Sequence, residues 1–166
     1  MLDLAEASKI VAVDRTDREM IAHLEEDGRQ TITELARRVS LTAAPCQRRL
    51  RDLEARGVIR GYHAEVDAAA LGLGFEVLVS VTMDREDAST IEAFEARLAE
   101  VPEISRAERL FGDPDYLIRV ATADIAAYQS LRDEVLAALP GVARLTSTIV
   151  MRTVVGRRSL AAVTLR

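Results

Sequence analysis

The chain has one cysteine, one lysine, two histidines and no tryptophan in 166 residues. A lone cysteine, Cys46, excludes an intrachain disulfide and any cysteine-rich zinc site, which suits a reducing compartment and leaves packing as its role. His23 and His63 have no second histidine at ligand spacing, and a surface position explains each better than metal or catalytic work. No apolar run approaches the roughly 20 residues needed to span a bilayer. The opening MLDLAEASKI lacks the basic-then-apolar order of a secretory leader, so a cytoplasmic protein without membrane contact is expected. No Ser-His-Asp set, phosphate-cradling glycine loop or dinucleotide glycine pattern occurs. Asp113 and Asp115 on one short turn are a weak metal signal. The expectation is a protein without catalytic residues, metal or cofactor.

What is present is a 49% hydrophobic share, enough for real cores in one or two domains, and an uneven charge. The single lysine, Lys9, stands against 21 arginines, so arginine number partly reflects usage and its placement carries more weight. Residues 1–63 hold eleven basic and eleven acidic side chains, whereas residues 64–166 hold eleven basic and sixteen acidic. Within the first stretch, residues 37–60 carry seven arginines against Asp52 and Glu54, a local positive excess in a chain of net charge −5. Such an inversion favours a phosphate-facing surface there, and the acidic second half would repel one.

The positive segment is punctuated as two short helices joined by a tight turn. Thr31 followed by Glu34 has capping-box spacing and starts a helix near Ile32, with Ile32, Leu35, Ala36 and Val39 on its buried face. That helix stops around Ser40. Thr42 offers a second N-cap, Pro45 is tolerated in a first turn, and Gly57 suits a C-cap, so the next helix runs from about Ala43 to Arg56. Cys46, Leu50 and Leu53 share its apolar face; Ala44, Gln47, Arg48, Arg51 and Ala55 face away. Arginine forks match phosphate oxygens and the O6/N7 edge of guanine, and glutamine pairs with adenine, so the free face has the chemistry of a DNA major-groove reader. A helix before this pair, capped by Asp14 or Thr16 and carrying Met20, Ile21 and Leu24, closes a three-helix core and ends at Asp27-Gly28. Residues 58–63 then form a short strand or wing.

The second half alternates between two periods. Phe75, Val77, Val79, Val81 and Met83 mark a strand, and Ile91, Phe94 and Leu98 a helix ended by Val101-Pro102. Residues 104–111 and 116–121 read as a hairpin around Gly112-Asp113-Pro114-Asp115. Ile125, Tyr128, Leu131, Val135 and Leu139 mark a second helix, broken at Pro140-Gly141, and residues 142–155 a further strand. The order β-α-β-β-α-β is that of a ferredoxin-like sandwich, so the fold class is α+β, with 160–165 available as an edge strand. The division is 1–63 for a winged helix-turn-helix domain, 64–74 for a linker and 75–166 for the sandwich.

VDRTDREMIAHLEEDGR, TELARRVSLTAAPCQRRLRDLEARGVIRGY, GDPDYLIRV and LPGVARLTSTIVM, in this order across nearly the whole chain, resemble the Lrp/AsnC (feast/famine) family of transcription regulators. The resemblance implies a ferredoxin-like domain of the RAM type that forms homodimers and assembles further to octamers. It also implies binding to operator DNA under the influence of a small molecule, commonly an amino acid. Carried over, the DNA-reading positions are Thr42, Ala43, Gln47, Arg48, Arg49 and Arg51. The effector positions are Leu110, Gly112, Asp113, Asp115 and Tyr116, with Thr146 and Thr148 on the facing strand, between dimers. The chain reads TAAPC where a serine-proline-threonine run is usual in the family, leaving methyls at Ala43 and Ala44 that suit a thymine. A zwitterion needs an acceptor for its ammonium, Asp113 or Asp115, and donors for its carboxylate from loop amides and threonine hydroxyls. The rival reading is an amino-acid-sensing assembly module that does not read DNA.

Overall fold

Asp14 and Asp17 open the first helix by a reciprocal cap. The Asp17 amide donates to Asp14 Oδ1 at 2.8 Å and the Asp14 amide to Asp17 Oδ2 at 3.3 Å, so of the two candidate caps Asp14 is the one used. The structure, a computed structural model, describes residues 13–156 together with Ser159, Ala161 and Thr164. Helix α1 spans Arg15–Glu26, α2 Ile32–Arg38 and α3 Ala43–Ala55. Thr31 and Glu34 form the expected capping box of α2. Thr42 occupies the cap position of α3 with extended dihedrals, but its side chain makes no capping hydrogen bond, contrary to its expected role. Met20, Leu35, Ala36, Val39 and Cys46 form the shared core, and Leu53 is fully buried. Burial also pushes the Cys46 thiol above its ordinary pKa, consistent with packing.

The segment after α3 forms no strand. Gly57, at φ +70°, turns the chain, and the Val58 and Ile59 amides both donate to the Leu53 carbonyl. The Tyr62 hydroxyl donates to Glu54 Oε1 at 2.9 Å. The expected short strand is absent because no described strand of this unit lies alongside to pair with it.

A second unit, Val66–Val154, begins after Glu65. Its strands β1 (Phe75–Met83), β2 (Ile104–Arg109), β3 (Tyr116–Thr122) and β4 (Val142–Ile149) form one antiparallel sheet in the order β2-β3-β1-β4. Helices α4 (Ala88–Leu98) and α5 (Ile125–Glu134) cover one face. Phe94, Leu98, Tyr128 and Leu131 meet Val77, Val79, Val81, Ile118 and Val120 there. Each such side chain, fully buried, contributes about 1.5–3 kcal/mol of hydrophobic stabilisation. The opposite face, carrying Glu76, Leu78, Ser80, Thr82, Leu117 and Arg119, has no helix over it among the described residues and is half-buried.

Three boundaries differ from the periodicity. Strand β4 stops at Ile149, where the Val150 amide donates to the Glu76 carbonyl, and residues 150–156 carry no strand. Helix α5 ends at Glu134, followed by a 3-10 turn, Leu136–Ala138, and Ile125 is exposed at its start rather than buried in its stripe. Of the edge strand read at 160–165, Leu160, Ala162, Val163 and Leu165 lie outside the described residues. Ala161 and Thr164 have 3-10 geometry and group with the first unit. The Ser159 hydroxyl and the Ala161 amide both donate to Glu25 Oε2 on α1.

Candidate nucleic-acid interface and ligand pocket

Helix α3 buries Cys46 and Leu53 completely, and this fixes which way its remaining side chains point. Thr42, Ala43, Ala44, Gln47, Arg48 and Arg51 are all exposed. Among the described residues neither Arg48 nor Arg51 makes an ion pair or side-chain hydrogen bond. Their guanidinium forks stand unneutralised beside the Gln47 amide, a surface able to take phosphate oxygens and base edges.

Arg49 is arranged differently from the expectation. Its Nη1 donates to Asp14 Oδ2 at 2.6 Å and to Asp17 Oδ1 at 2.8 Å, and Asp17 is buried. The Asp17 backbone amide above all, and then the Arg49 guanidinium, hold the Asp14 carboxyl below its ordinary pKa of 3.8. Arg49 thus ties α3 to the N-terminal turn of α1, and its charge is already matched by two carboxylates. Arg56 pairs with Asp52 at 2.6 Å. Of the four arginines from 48 to 56, the structure brings Arg48 and Arg51 to the free face and pairs Arg49 with Asp14 and Asp17.

The sequence-predicted ligand residues separate into three places in one chain. Leu110, Gly112 and Asp113 lie exposed on the β2–β3 hairpin, beside a fully exposed Phe111. Asp115 is partly withdrawn, with Oδ2 accepting from the Met83 amide at 2.7 Å, its own amide donating to the Val81 carbonyl at 3.0 Å, and its carbonyl accepting from the Leu110 amide. It ties the hairpin to the end of β1. Of the two aspartates, Asp113 is the one whose carboxylate makes no hydrogen bond or ion pair among the described residues. Thr146 and Thr148 are in register with Ser80 and Leu78, on the uncovered face of the sheet. Tyr116 points to the covered face, its ring 4.7 Å from that of Phe94. One chain therefore does not bring Tyr116 together with the two threonines.

Instead, Tyr116 borders a cleft between α4 and β2 of about 360 Å³, lined also by Glu95, Leu98, Val101, Ile104 and Arg109. Its hydroxyl donates to Glu95 Oε1 at 2.8 Å. Burial first, and then Glu95, push the phenol up to about 12, so it remains a protonated donor. Glu95 and Arg109 were not foreseen: Glu95 follows Phe94 on a helix that reads only as a core stripe, and its partner Tyr116 is 21 residues away. Among the described residues, no three His, Cys, Asp or Glu side chains are grouped to hold a metal ion.

The model of the Lrp/AsnC ligand binding domain matches residues 76–160, and a winged helix-turn-helix DNA-binding model matches residues 13–60. The chain belongs to the Lrp/AsnC family. Members of this family are DNA-binding transcription regulators rather than enzymes. The chain is 34% identical to the Bkd operon transcriptional regulator of Pseudomonas aeruginosa over 145 residues, 87% of this chain and 95% of that protein. It is 37% identical over 142 residues to the leucine-responsive regulatory protein of Salmonella typhimurium, covering 86% and 87% of the two chains. Among solved structures, a Neisseria meningitidis transcriptional regulator in complex with L-methionine superposes with a TM-score of 0.84 at 32% identity, over 90% of this chain and 96% of that one. A feast or famine regulatory protein of M. tuberculosis complexed with L-methionine gives 0.80 at 33% identity, over 89% and 97%.

Proposed function

We propose that this Lrp/AsnC regulator reads operator DNA with the exposed face of α3 and that an amino acid bound to its second unit tunes that binding. The observation that carries the DNA half is the unneutralised pair Arg48 and Arg51 beside Gln47, with Thr42 and Ala43 exposed at the start of the same helix. Arginine at such positions gives either a bidentate base contact or a phosphate contact, and the two differ in salt dependence. The test is fluorescence anisotropy of the full chain on DNA from the region upstream of its own coding sequence. Operator affinity retained by the double variant Arg48→Ala, Arg51→Ala would leave only the sensing-module reading.

The amino-acid half is supported by relatives named as leucine-responsive and by neighbours bound to L-methionine. Asp113 on the hairpin is the ammonium acceptor in this reading, with Leu110, Gly112, Thr146 and Thr148 contributed where chains meet. The uncovered sheet face supports a homodimer, and hairpin contacts between dimers extend it to an octamer. Leu78 and Leu117 lie on that face among paired charges, Arg119 with Glu76 and Arg106 with Glu108. Among the described residues no helix is long and apolar enough to cross a membrane, and the cytoplasm is the proposed location.

A further inference from the structure

We propose that the cleft between α4 and β2 is a ligand site in its own right, taking a zwitterionic amino acid with Arg109 on the carboxylate and Glu95 on the ammonium. This rests on the amino-acid reading above and adds a second place for such a ligand, apart from the hairpin.

The cleft has charges of opposite sign on facing elements, Glu95 on α4 and Arg109 on β2. The other arginine of the lining, Arg106, is already satisfied by Glu108. Arg109 makes no ion pair among the described residues, although it lies close enough to Tyr116 to bear on that phenol's titration. An unpaired guanidinium at the mouth of a cleft is a ready partner for a carboxylate, which it binds through two parallel hydrogen bonds.

Glu95 is held for the other end of the ligand. Its Oε1 accepts from the buried Tyr116 hydroxyl, which fixes the side chain, and its second oxygen has no partner among the described residues. A carboxylate oriented in advance loses less conformational freedom when an ammonium arrives. The same cleft is lined by Leu98, Val101, Ile104 and Ala107, apolar surface for an aliphatic side chain. The volume of about 360 Å³ falls at the small end of ligand pockets and has room for a single amino acid. The hairpin residues Gly112 and Asp113 are not part of this lining, so the cleft and the hairpin make separable predictions.

Hydrogen–deuterium exchange and titration calorimetry on the full chain separate them. The probes are L-leucine and L-methionine, then the other proteinogenic amino acids, and for leucine the two half-ligands 3-methylbutylamine and 4-methylpentanoate. The expected result is protection of peptides covering 95–109 by the amino acid and not by either half-ligand at the same concentration. Arg109→Ala and Glu95→Gln should each weaken affinity by roughly tenfold or more with an unchanged far-UV spectrum. Arg109→Lys should recover part of the loss, and Asp113→Ala should leave the cleft protected. Protection confined to 110–113, with affinity unchanged in both cleft variants, overturns the cleft while leaving the amino-acid reading intact. Absence of binding by every amino acid in the unsubstituted chain overturns both.

Discussion

Arg49 Nη1 lies 2.8 Å from Oδ1 of Asp17, a residue 32 positions earlier and buried, so an arginine in the middle of the charged helix is already engaged by a carboxylate of α1. With Asp14 it completes a clamp between the start of α1 and the middle of α3. Arg49→Ala leaves the Asp17 carboxylate buried with only part of its bonding, which costs about 1–3 kcal/mol. A denaturant melt reads this directly. Because Arg49 is not free to meet phosphate, the dependence of log affinity for DNA on log salt keeps its slope in the variant. A loss of about 0.9 in that slope would show instead that Arg49 contacts a phosphate in the complex.

Arg48 and Arg51 carry the opposite expectation. Both are exposed and without ion pairs among the described residues, so replacing them with alanine leaves the thermal midpoint nearly unchanged while specific binding is lost. If one of them reads a base edge, its single variant loses about 1–3 kcal/mol against the preferred operator and relaxes specificity at one position. A phosphate contact instead weakens all sequences alike.

The two hairpin aspartates should behave as different kinds of residue. Asp115→Ala removes the acceptor for the Met83 amide and lowers stability, with or without ligand. Asp113→Ala leaves stability unchanged and removes the hairpin's contribution to ligand-induced stabilisation. Thermal shift with an amino-acid panel checks both, and equal behaviour of the two variants would refute the distinction.

Gly57 and Gly141 share positive φ, +70° and +72°, but differ in the space around them. A methyl at Gly57 meets nothing within 4 Å, so Gly57→Ala costs about 1 kcal/mol, the strain of a left-handed backbone. A methyl at Gly141 would lie 2.5 Å from Thr90 Cγ2 and 2.9 Å from Met83 Cε. Gly141→Ala is therefore the more destabilising of the pair in chemical melts.

Asp87 caps α4 through the Thr90 amide, and hydrogen bonds from Ser89 and Thr90 lower its carboxyl from 3.8 to about 2. A depressed folded-state pKa stabilises the fold above the ordinary value and is lost as pH falls through the lowered one. The contribution is thus intact above 3.8 and disappears on acidification toward about 2. Replacing Asp87 with asparagine should flatten the acid limb of stability in that window, with NMR titration of the carboxyl giving the midpoint.

What the sequence determined by itself was local or repeated. The helix start at Thr31 follows from a side chain that reaches an amide three residues on, and the covered face of β1 follows from alternation at Val77, Val79 and Val81. The outward set Gln47, Arg48 and Arg51 follows from helical geometry once Cys46 and Leu53 point inward. The order of elements and the motifs were enough to indicate the family. What only the tertiary structure decided depends on partners far apart in the chain. Arg49 looked like its neighbours until packing set Asp14 and Asp17 before it, and Asp115 looked like Asp113 until the hairpin closed on Met83. Strand pairing puts Tyr116 and Thr146 of one chain on opposite faces of the sheet, so any site that joins them needs more than one chain. Glu95 and Arg109 gave no local signal, since a cleft between a helix and an edge strand exists only after both have packed. Periodicity specifies which face is buried, and only the assembled fold specifies which side chain meets which.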